Sequence, residues 1–92
     1  MTTDVVRRKV VVRGRVQGVW FRDSTRERAS AQGVAGWVRN RPDGALEAVF
    51  EGVRADVESL IRFCQTGPPL ARVDTIETTE ERPAGASGFL VL

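Results

Sequence analysis

Hydrophobic residues along this chain change from a two-residue spacing to a helical spacing and back, which predicts a mixture of strands and helices. β-Branched residues dominate positions 5–12 and apolar residues alternate through positions 45–51, so both segments are predicted strands. Residues 53–66 instead carry apolar side chains at helical spacing, which predicts an amphipathic helix. The apolar stripe of this helix consists of Val53, Val57, Leu60, Ile61 and Cys64.

The remaining segments complete a regular order of elements, in which Gly33 is a suitable helix cap and Pro42-Asp43-Gly44 a turn signal. The predicted strands are residues 5–12, 34–40, 45–51, 72–82 and 89–92, and the predicted helices are residues 23–32 and 53–66. The order strand, helix, strand, strand, helix, strand, with a short added strand, predicts an α+β, ferredoxin-like sandwich. Its two helices should cover one face of a mainly antiparallel sheet.

Basic residues and tryptophans are the side chains that this hydrophobic pattern places least clearly. Arg7, Arg8 and Lys9 interrupt the first strand, so we expect that end of the strand to be exposed. Trp37 alternates with Val38 in a strand, and burial in the core is its expected state. For Trp20 we expect packing or partial exposure rather than stacking on a substrate.

The length of 92 residues allows one compact domain, residues 1–92, which we expect to be a monomer. A net charge of +2 does not favour a nucleic-acid partner. No apolar run is long enough to span a membrane, and residues 1–4 lack the start of a signal peptide. The single cysteine, Cys64, fits a reducing cytoplasm, and its position on the apolar stripe predicts a small buried hydrophobe.

The chain contains no histidine, which limits the chemistry it can perform. This absence removes the commonest general base and most zinc-binding arrangements. No cluster of carboxylates suggests a metal either. We therefore expect neither a metal nor another cofactor.

The segment Gly14-Arg15-Val16-Gln17-Gly18-Val19-Trp20-Phe21-Arg22 lies between the first predicted strand and the first predicted helix. Glycine lets such a loop approach a ligand closely, and the free N–H groups of a helix N-terminus attract anions. Arg22 adds a planar fork that can bind two phosphate oxygens. The segment is therefore interpreted as a cradle for a phosphoryl group.

Plainer interpretations of these residues remain open at this point. The segment lacks the Gly-Lys-Ser/Thr ending of a nucleotide-binding P-loop and the three spaced glycines of a dinucleotide-binding fingerprint. It could be a tight turn in which Gly14 and Gly18 only satisfy backbone geometry, with Arg22 on the surface. By local sequence alone, Asn40 is a turn residue at a strand end.

The motifs GRVQGVWFR and GVAGWVRNRPDGALEAVFEG together resemble the signature of the acylphosphatase family. The resemblance covers residues 10–52 closely and implies the fold predicted above. It also implies hydrolysis of a carboxyl-phosphate anhydride to carboxylate and phosphate. Carried over by position, Arg22 is the family's phosphate-binding arginine and Asn40 its catalytic asparagine. Arg41 replaces a threonine that animal members often have, and the tail 88–92 lacks their Arg-Tyr ending.

The mechanism that this resemblance implies needs no histidine, because a carboxylate is a good leaving group. Arg22 and the backbone N–H groups of residues 15–19 would hold the phosphoryl oxygens while Asn40 orients the attacking water. The residues of this expected phosphate-binding loop are Arg15, Val16, Gln17, Gly18 and Val19. The expected partners are a small-molecule acyl phosphate and the phosphate product.

Two other functions fit the same fold class. One is a non-catalytic module that binds a ligand or RNA, although the chain has no tyrosine and no aromatic-rich motif for base stacking. The other is an acylphosphatase-like domain within a carbamoyl-transfer maturation protein. The sequence given contains no zinc-finger or transferase region, so we expect a stand-alone enzyme.

Overall fold

The computed structural model describes residues 4–92, in which two helices pack against one sheet of five strands. The elements are β1 (Val5–Arg15), α1 (Phe21–Gln32), β2 (Ala35–Asn40), β3 (Leu46–Val53), α2 (Arg54–Thr66), β4 (Arg72–Glu81) and β5 (Phe89–Val91). This order confirms the predicted ferredoxin-like α+β class. The expectation about a signal peptide concerns in part residues 1–3, which lie outside the described residues.

The sheet has the strand order β4-β1-β3-β2-β5. β1 pairs antiparallel with both β3 and β4, and β3 pairs antiparallel with β2. The short β5 is the exception, because it runs parallel to β2 with Phe89 opposite Gly36. The sheet is therefore mainly antiparallel, as predicted, and β5 completes its edge beside the end of β2.

The core lies between one face of the sheet and both helices. On the strand side, the core includes Val10, Val12, Leu46 and Phe50. On the helix side, it includes Phe21, Ala29, Val57, Leu60 and Cys64. The rings of Phe21 in α1 and Phe63 in α2 meet edge to face, with their centroids 5.8 Å apart. Full burial of each large apolar side chain stabilises the fold by roughly 1.5–3 kcal/mol. Cys64 is fully buried, which confirms that it is a buried hydrophobe, and this burial raises the pKa of its thiol to about 12.

The boundaries around the glycine-containing segment differ from the prediction. β1 continues to Arg15 instead of ending at Val12, because Gly14 and Arg15 pair with β4 across a register shift. Gly14 has φ 135°, and a side chain there would overlap the backbone of Arg72, so only glycine permits this pairing. The connecting loop is consequently shorter than predicted and consists of residues 16–20.

The helices are also displaced slightly from their predicted positions. α1 begins at Phe21, two residues earlier than predicted, because the Phe21 side chain is buried in the core. α2 begins at Arg54, and Val53 is the half-exposed last residue of β3. Neither helix is long and apolar enough to cross a membrane, within the part of the chain that the structure describes.

The expected exposure of the start of β1 is confirmed only in part, since Val5 is 53% exposed and the Lys9 side chain 39% exposed. The side chains of Arg7 and Arg8 are only 18% and 13% exposed. They lie on the sheet among acidic residues of neighbouring strands: Arg7 pairs with Glu51 and Glu81, and Arg8 with Glu80. Ion pairing across strands therefore lets charged residues cover the sheet where the sequence pattern indicates an exposed strand end.

Candidate active site

The loop of residues 16–20 turns from β1 into α1 and is anchored by its apolar side chains. Val16 and Val19 are buried in the core. Between them, Gly18 has φ 73°, and a Cβ atom at this position would meet no other atom within 4 Å. The backbone at Gly18 is therefore accessible, as a close approach to a ligand requires.

The N-terminus of α1 carries no side-chain cap. Its N-cap residue is Trp20, and the first hydrogen bond of the helix runs from the Ser24 N–H to the Trp20 carbonyl at 3.1 Å. The N–H groups of the residues before Ser24 therefore have no carbonyl acceptor within the helix. Together with the helix dipole, these donors favour a bound anion next to the loop.

Gln17 connects the loop to the turn between β2 and β3. Its side-chain amide donates to the backbone carbonyl oxygens of Arg41 and Ala45, at 2.8 and 3.0 Å. The Gln17 side chain therefore points to the turn, not to the cleft. Because Arg41 follows Asn40 directly, this clamp fixes the loop relative to Asn40.

Asn40 is the last residue of β2 and lies on the same face of the sheet as Val38, towards the helices. Its Oδ1 atom is buried and has no hydrogen-bond partner among residues 4–92. A buried acceptor without a partner is unusual, because more than nine in ten buried polar groups in proteins are hydrogen-bonded. This atom is therefore a candidate for binding a group from outside the protein.

Arg22 is the second residue of α1. Its Nη1 atom donates to the backbone carbonyl of Leu92 at 3.3 Å, which holds the guanidinium near the end of β5. No ion pair of Arg22 with a carboxylate is found within the described part of the chain. Since a guanidinium has five N–H donors, most of its hydrogen-bonding capacity remains for a ligand.

A cleft of about 220 Å³ brings the two polar candidates together. It is lined by Val16, Gly18, Trp20, Phe21, Arg22, Asp23 and Asn40. The predicted residues Arg22, Asn40, Val16 and Gly18 thus share one site. Among the other predicted loop residues, Arg15 ends β1, Val19 is buried in the core and Gln17 forms the clamp.

Three residues that line this cleft were not predicted as site residues: Trp20, Phe21 and Asp23. Trp20 is 70% exposed, so of the two expected states partial exposure is the observed one, at the mouth of the candidate site. Trp37 does not reach the core as expected, because it lies half-buried on the opposite face of the sheet, with the Arg39 guanidinium 6.0 Å from its ring. All three unpredicted residues lie within two positions of Arg22 in the sequence, and this proximity was the available signal.

The fold and the site define a small α+β protein with a cleft at a helix N-terminus, lined by Arg22 and Asn40. Comparison with known proteins identifies the family, since the acylphosphatase family model matches residues 8–91. The chain is 62% identical over 85 residues to an acylphosphatase from Rubrobacter xylanophilus, covering 90% of this chain and 76% of the relative. The chain belongs to the acylphosphatase family.

Solved structures agree with this assignment. The crystal structure of acylphosphatase from Bacillus subtilis is 35% identical, with a TM-score of 0.90, and the match covers 95% of this chain and 98% of that chain. An acylphosphatase from Coxiella burnetii is also 35% identical, with a TM-score of 0.92 and coverage of 97% and 94%. The predicted family resemblance is therefore confirmed.

Proposed function

We propose that this member of the acylphosphatase family hydrolyses small acyl phosphates by direct attack of water at the cleft between α1 and β2. Asn40 positions the water, while Arg22 and the backbone N–H groups of the loop hold the phosphoryl group. The observation that carries this proposal is the buried, unpartnered Oδ1 atom of Asn40 in the same cleft as the Arg22 guanidinium.

Arg22 is suited to bind the phosphoryl oxygens. Its planar fork can donate two parallel hydrogen bonds, and charge-assisted bonds of this kind are stronger than neutral ones. The Leu92 carbonyl accepts one N–H and limits the orientations of the side chain. Fixed donors of this kind stabilise the charge that is redistributed over the phosphoryl oxygens in the transition state.

Asn40 is suited to bind the nucleophile. An unpartnered buried acceptor costs about 1–3 kcal/mol, and a water O–H that donates to Oδ1 removes this cost. The same hydrogen bond turns a lone pair of the water towards phosphorus. The water therefore attacks from a fixed orientation and not after a random encounter. The proposed position of the attacking water thus follows from Asn40 Oδ1, which has no partner within the described residues.

The reaction balances without an ionisable base. An O–P bond forms from the water while the P–O bond to the acyl group breaks, and the carboxylate leaves with the bonding electron pair. The proton of the water passes to a phosphoryl oxygen of the substrate. The products are a carboxylate and inorganic phosphate, and in this proposal no step requires a metal or cofactor.

We also propose that residues 1–92 act as one domain, as a monomer in the cytoplasm. The core shared by the sheet and both helices supports a single domain. An RNA-binding sheet is the less favoured alternative. The open face of this sheet carries ion pairs of Arg7, Lys9 and Arg39 with acidic residues, whereas RNA-binding sheets present aromatic rings for base stacking.

The two roles can be separated by steady-state kinetics and phosphate titration. Arg22→Ala should weaken phosphate binding and lower kcat, by roughly 10²-fold or more, because it removes contacts to substrate, transition state and product. Asn40→Ala should lower kcat by roughly 10²-fold while phosphate affinity changes little, because only the water loses its partner. Calorimetry measures the phosphate affinity, and circular dichroism verifies folding.

Arg26→Ala is the matched control, because Arg26 is an exposed arginine on the same helix. It should change neither phosphate affinity nor turnover. Full activity of Arg22→Ala would exclude this cleft as the active site. Loss of phosphate binding in Asn40→Ala, with normal turnover at saturating substrate, would show that the two roles are assigned wrongly.

A further inference from the structure

The backbone of Trp20 has a conformation that its side chain does not favour. With φ 68° and ψ 19° it is left-handed, and it is the only residue other than glycine with positive φ between residues 4 and 92. A bulky side chain rarely adopts this conformation, whereas glycine adopts it readily. The presence of tryptophan here therefore calls for a compensating role.

Neither packing nor helix capping supplies that role. The indole is 70% exposed, so it buries little apolar surface. Trp20 is the N-cap residue of α1 but makes no side-chain capping hydrogen bond. Strained residues that the fold does not need tend to occur at functional sites.

The cleft offers few apolar side chains to a ligand. Trp20 lines the cleft that contains Arg22 and Asn40. The other apolar side chains of this cleft, Val16 and Phe21, are buried in the core and offer almost no surface to a ligand. Trp20 is thus the residue of this cleft with a large exposed apolar side chain, next to Arg22 and Asn40.

We infer that Trp20 forms a platform for the acyl group and that the enzyme favours acyl phosphates with an aromatic or large apolar acyl group. This inference rests on the proposed function. Arg22 and the loop would fix the phosphoryl end, so any discrimination between substrates must come from contacts to the acyl end. An aromatic acyl group can stack on the indole or meet its edge, whereas an acetyl group is too small to cover it.

The test compares kcat/KM for benzoyl phosphate and acetyl phosphate in the wild type and in Trp20→Ala. The wild type should favour benzoyl phosphate. The substitution should lower kcat/KM for benzoyl phosphate about 5–10-fold and that for acetyl phosphate less than about twofold. Trp20→Phe should retain most of the preference, because a ring remains at the platform.

Trp20→Gly separates the platform from a structural role. Glycine suits the left-handed conformation, so this variant should be at least as stable as the wild type in urea denaturation, yet it should lose the preference for benzoyl phosphate. A purely structural role predicts the opposite combination, with lower stability and an unchanged ratio of the two substrates.

Trp37→Phe is the matched control, because Trp37 lies on the opposite face of the sheet. It should leave the substrate ratio unchanged. If the wild type hydrolyses both compounds and the ratio is the same in all Trp20 variants, the platform is refuted while the proposed function stands. If the wild type hydrolyses neither compound, the proposed function itself fails.

Discussion

Buried polar side chains occur on both faces of the sheet, and the outer-face glutamates have partners within the protein whereas Asn40 on the helix face leaves its acceptor unpaired. On the outer face, Glu47 accepts from Lys9 and Arg39, at 3.1 and 2.6 Å. Glu51 accepts from Arg7 and from two backbone N–H groups of the 83–88 loop. On the helix face, the buried Oδ1 of Asn40 has no partner within residues 4–92.

Buried polar groups therefore serve two proposed purposes in this protein, which are stabilising the fold and binding a molecule from outside. A buried carboxylate needs hydrogen bonds to offset its loss of water, and the chain supplies them to both glutamates. At Asn40 the chain supplies no partner, so the hydrogen bond to Oδ1 is left to a molecule from outside the protein. We expect the outer-face residues to determine stability and the cleft residues to determine turnover, as often holds when active sites oppose stability.

The largest expected effect on stability comes from Glu51→Ala. It removes the acceptor of Arg7 and of the N–H groups of Ala84 and Ala86, and should lower the free energy of unfolding by about 2 kcal/mol. Urea denaturation measures this change. The kcat of the folded variant should remain within about twofold of the wild type, because Glu51 lies across the sheet from the cleft.

Glu80→Ala is the control for Glu51→Ala, because it also removes a carboxylate paired with an arginine of β1. Glu80 is 76% exposed, and its pair with Arg8 should contribute less than about 1 kcal/mol. Equal destabilisation by both variants would remove the distinction between buried and exposed pairs. A large fall in kcat for Glu51→Ala would show that the two faces are coupled, through the 83–88 loop that leads to β5.

Acidification should lower the free energy of unfolding by a smaller amount. The hydrogen bond from the Ala84 N–H lowers the pKa of Glu51, against the effect of burial, with further support from Arg7. Burial acts to raise the pKa of Glu47, but hydrogen bonds from Arg39 and Lys9 outweigh it and leave that pKa lowered. Both glutamates therefore bind protons more weakly in the folded chain than in the unfolded chain.

The sign of the pH dependence follows from these shifts. The contribution of each glutamate is fully present above the pKa of the unfolded chain, about 4.3, and is lost as the pH falls through the lower folded pKa. Denaturation in urea from pH 7 to pH 3 should show stability falling below about pH 4.5. Glu51→Gln should flatten part of this decline, and an unchanged profile would indicate that other carboxylates cause it.

The sequence pattern predicted much of this arrangement but not the pairing on the outer face. The alternation through positions 45–51 predicted a strand with two different faces, yet the basic side chains that cover Glu47 and Glu51 come from other strands. The same is true of Gly14, whose strand conformation depends on β4. Contacts between segments distant in sequence determine these ion pairs and the backbone of Gly14, so local periodicity cannot predict them.

The candidate site was more predictable because its parts lie in two short motifs. Arg22 was chosen from its position at the end of the glycine-containing segment, and family resemblance supported it and gave Asn40 its role. The structure brings both residues to one cleft. Trp20 was not recognised as a cleft residue, because its left-handed backbone and exposure follow from the start of α1 at Phe21. That start is determined by burial of the Phe21 ring, which a weak helical pattern does not reveal.

The smallest expected change in stability is that of Asn40→Ala. This variant directly tests the contrast between paired and unpaired buried polar groups. Removing a buried acceptor without a partner in the chain loses no hydrogen bond within the protein, whereas removing a donor that is satisfied loses one. Thr25→Val provides the second case on the same side of the sheet, because the buried Thr25 hydroxyl donates to the Phe21 carbonyl at 2.8 Å. Thr25→Val should lower the free energy of unfolding by about 1 kcal/mol, while Asn40→Ala should equal or exceed the wild type by up to about 1 kcal/mol. Urea denaturation without phosphate measures both. If Asn40→Ala were the less stable of the two variants, the Asn40 side chain would contribute to the fold, and its Oδ1 could not be regarded as reserved for the attacking water.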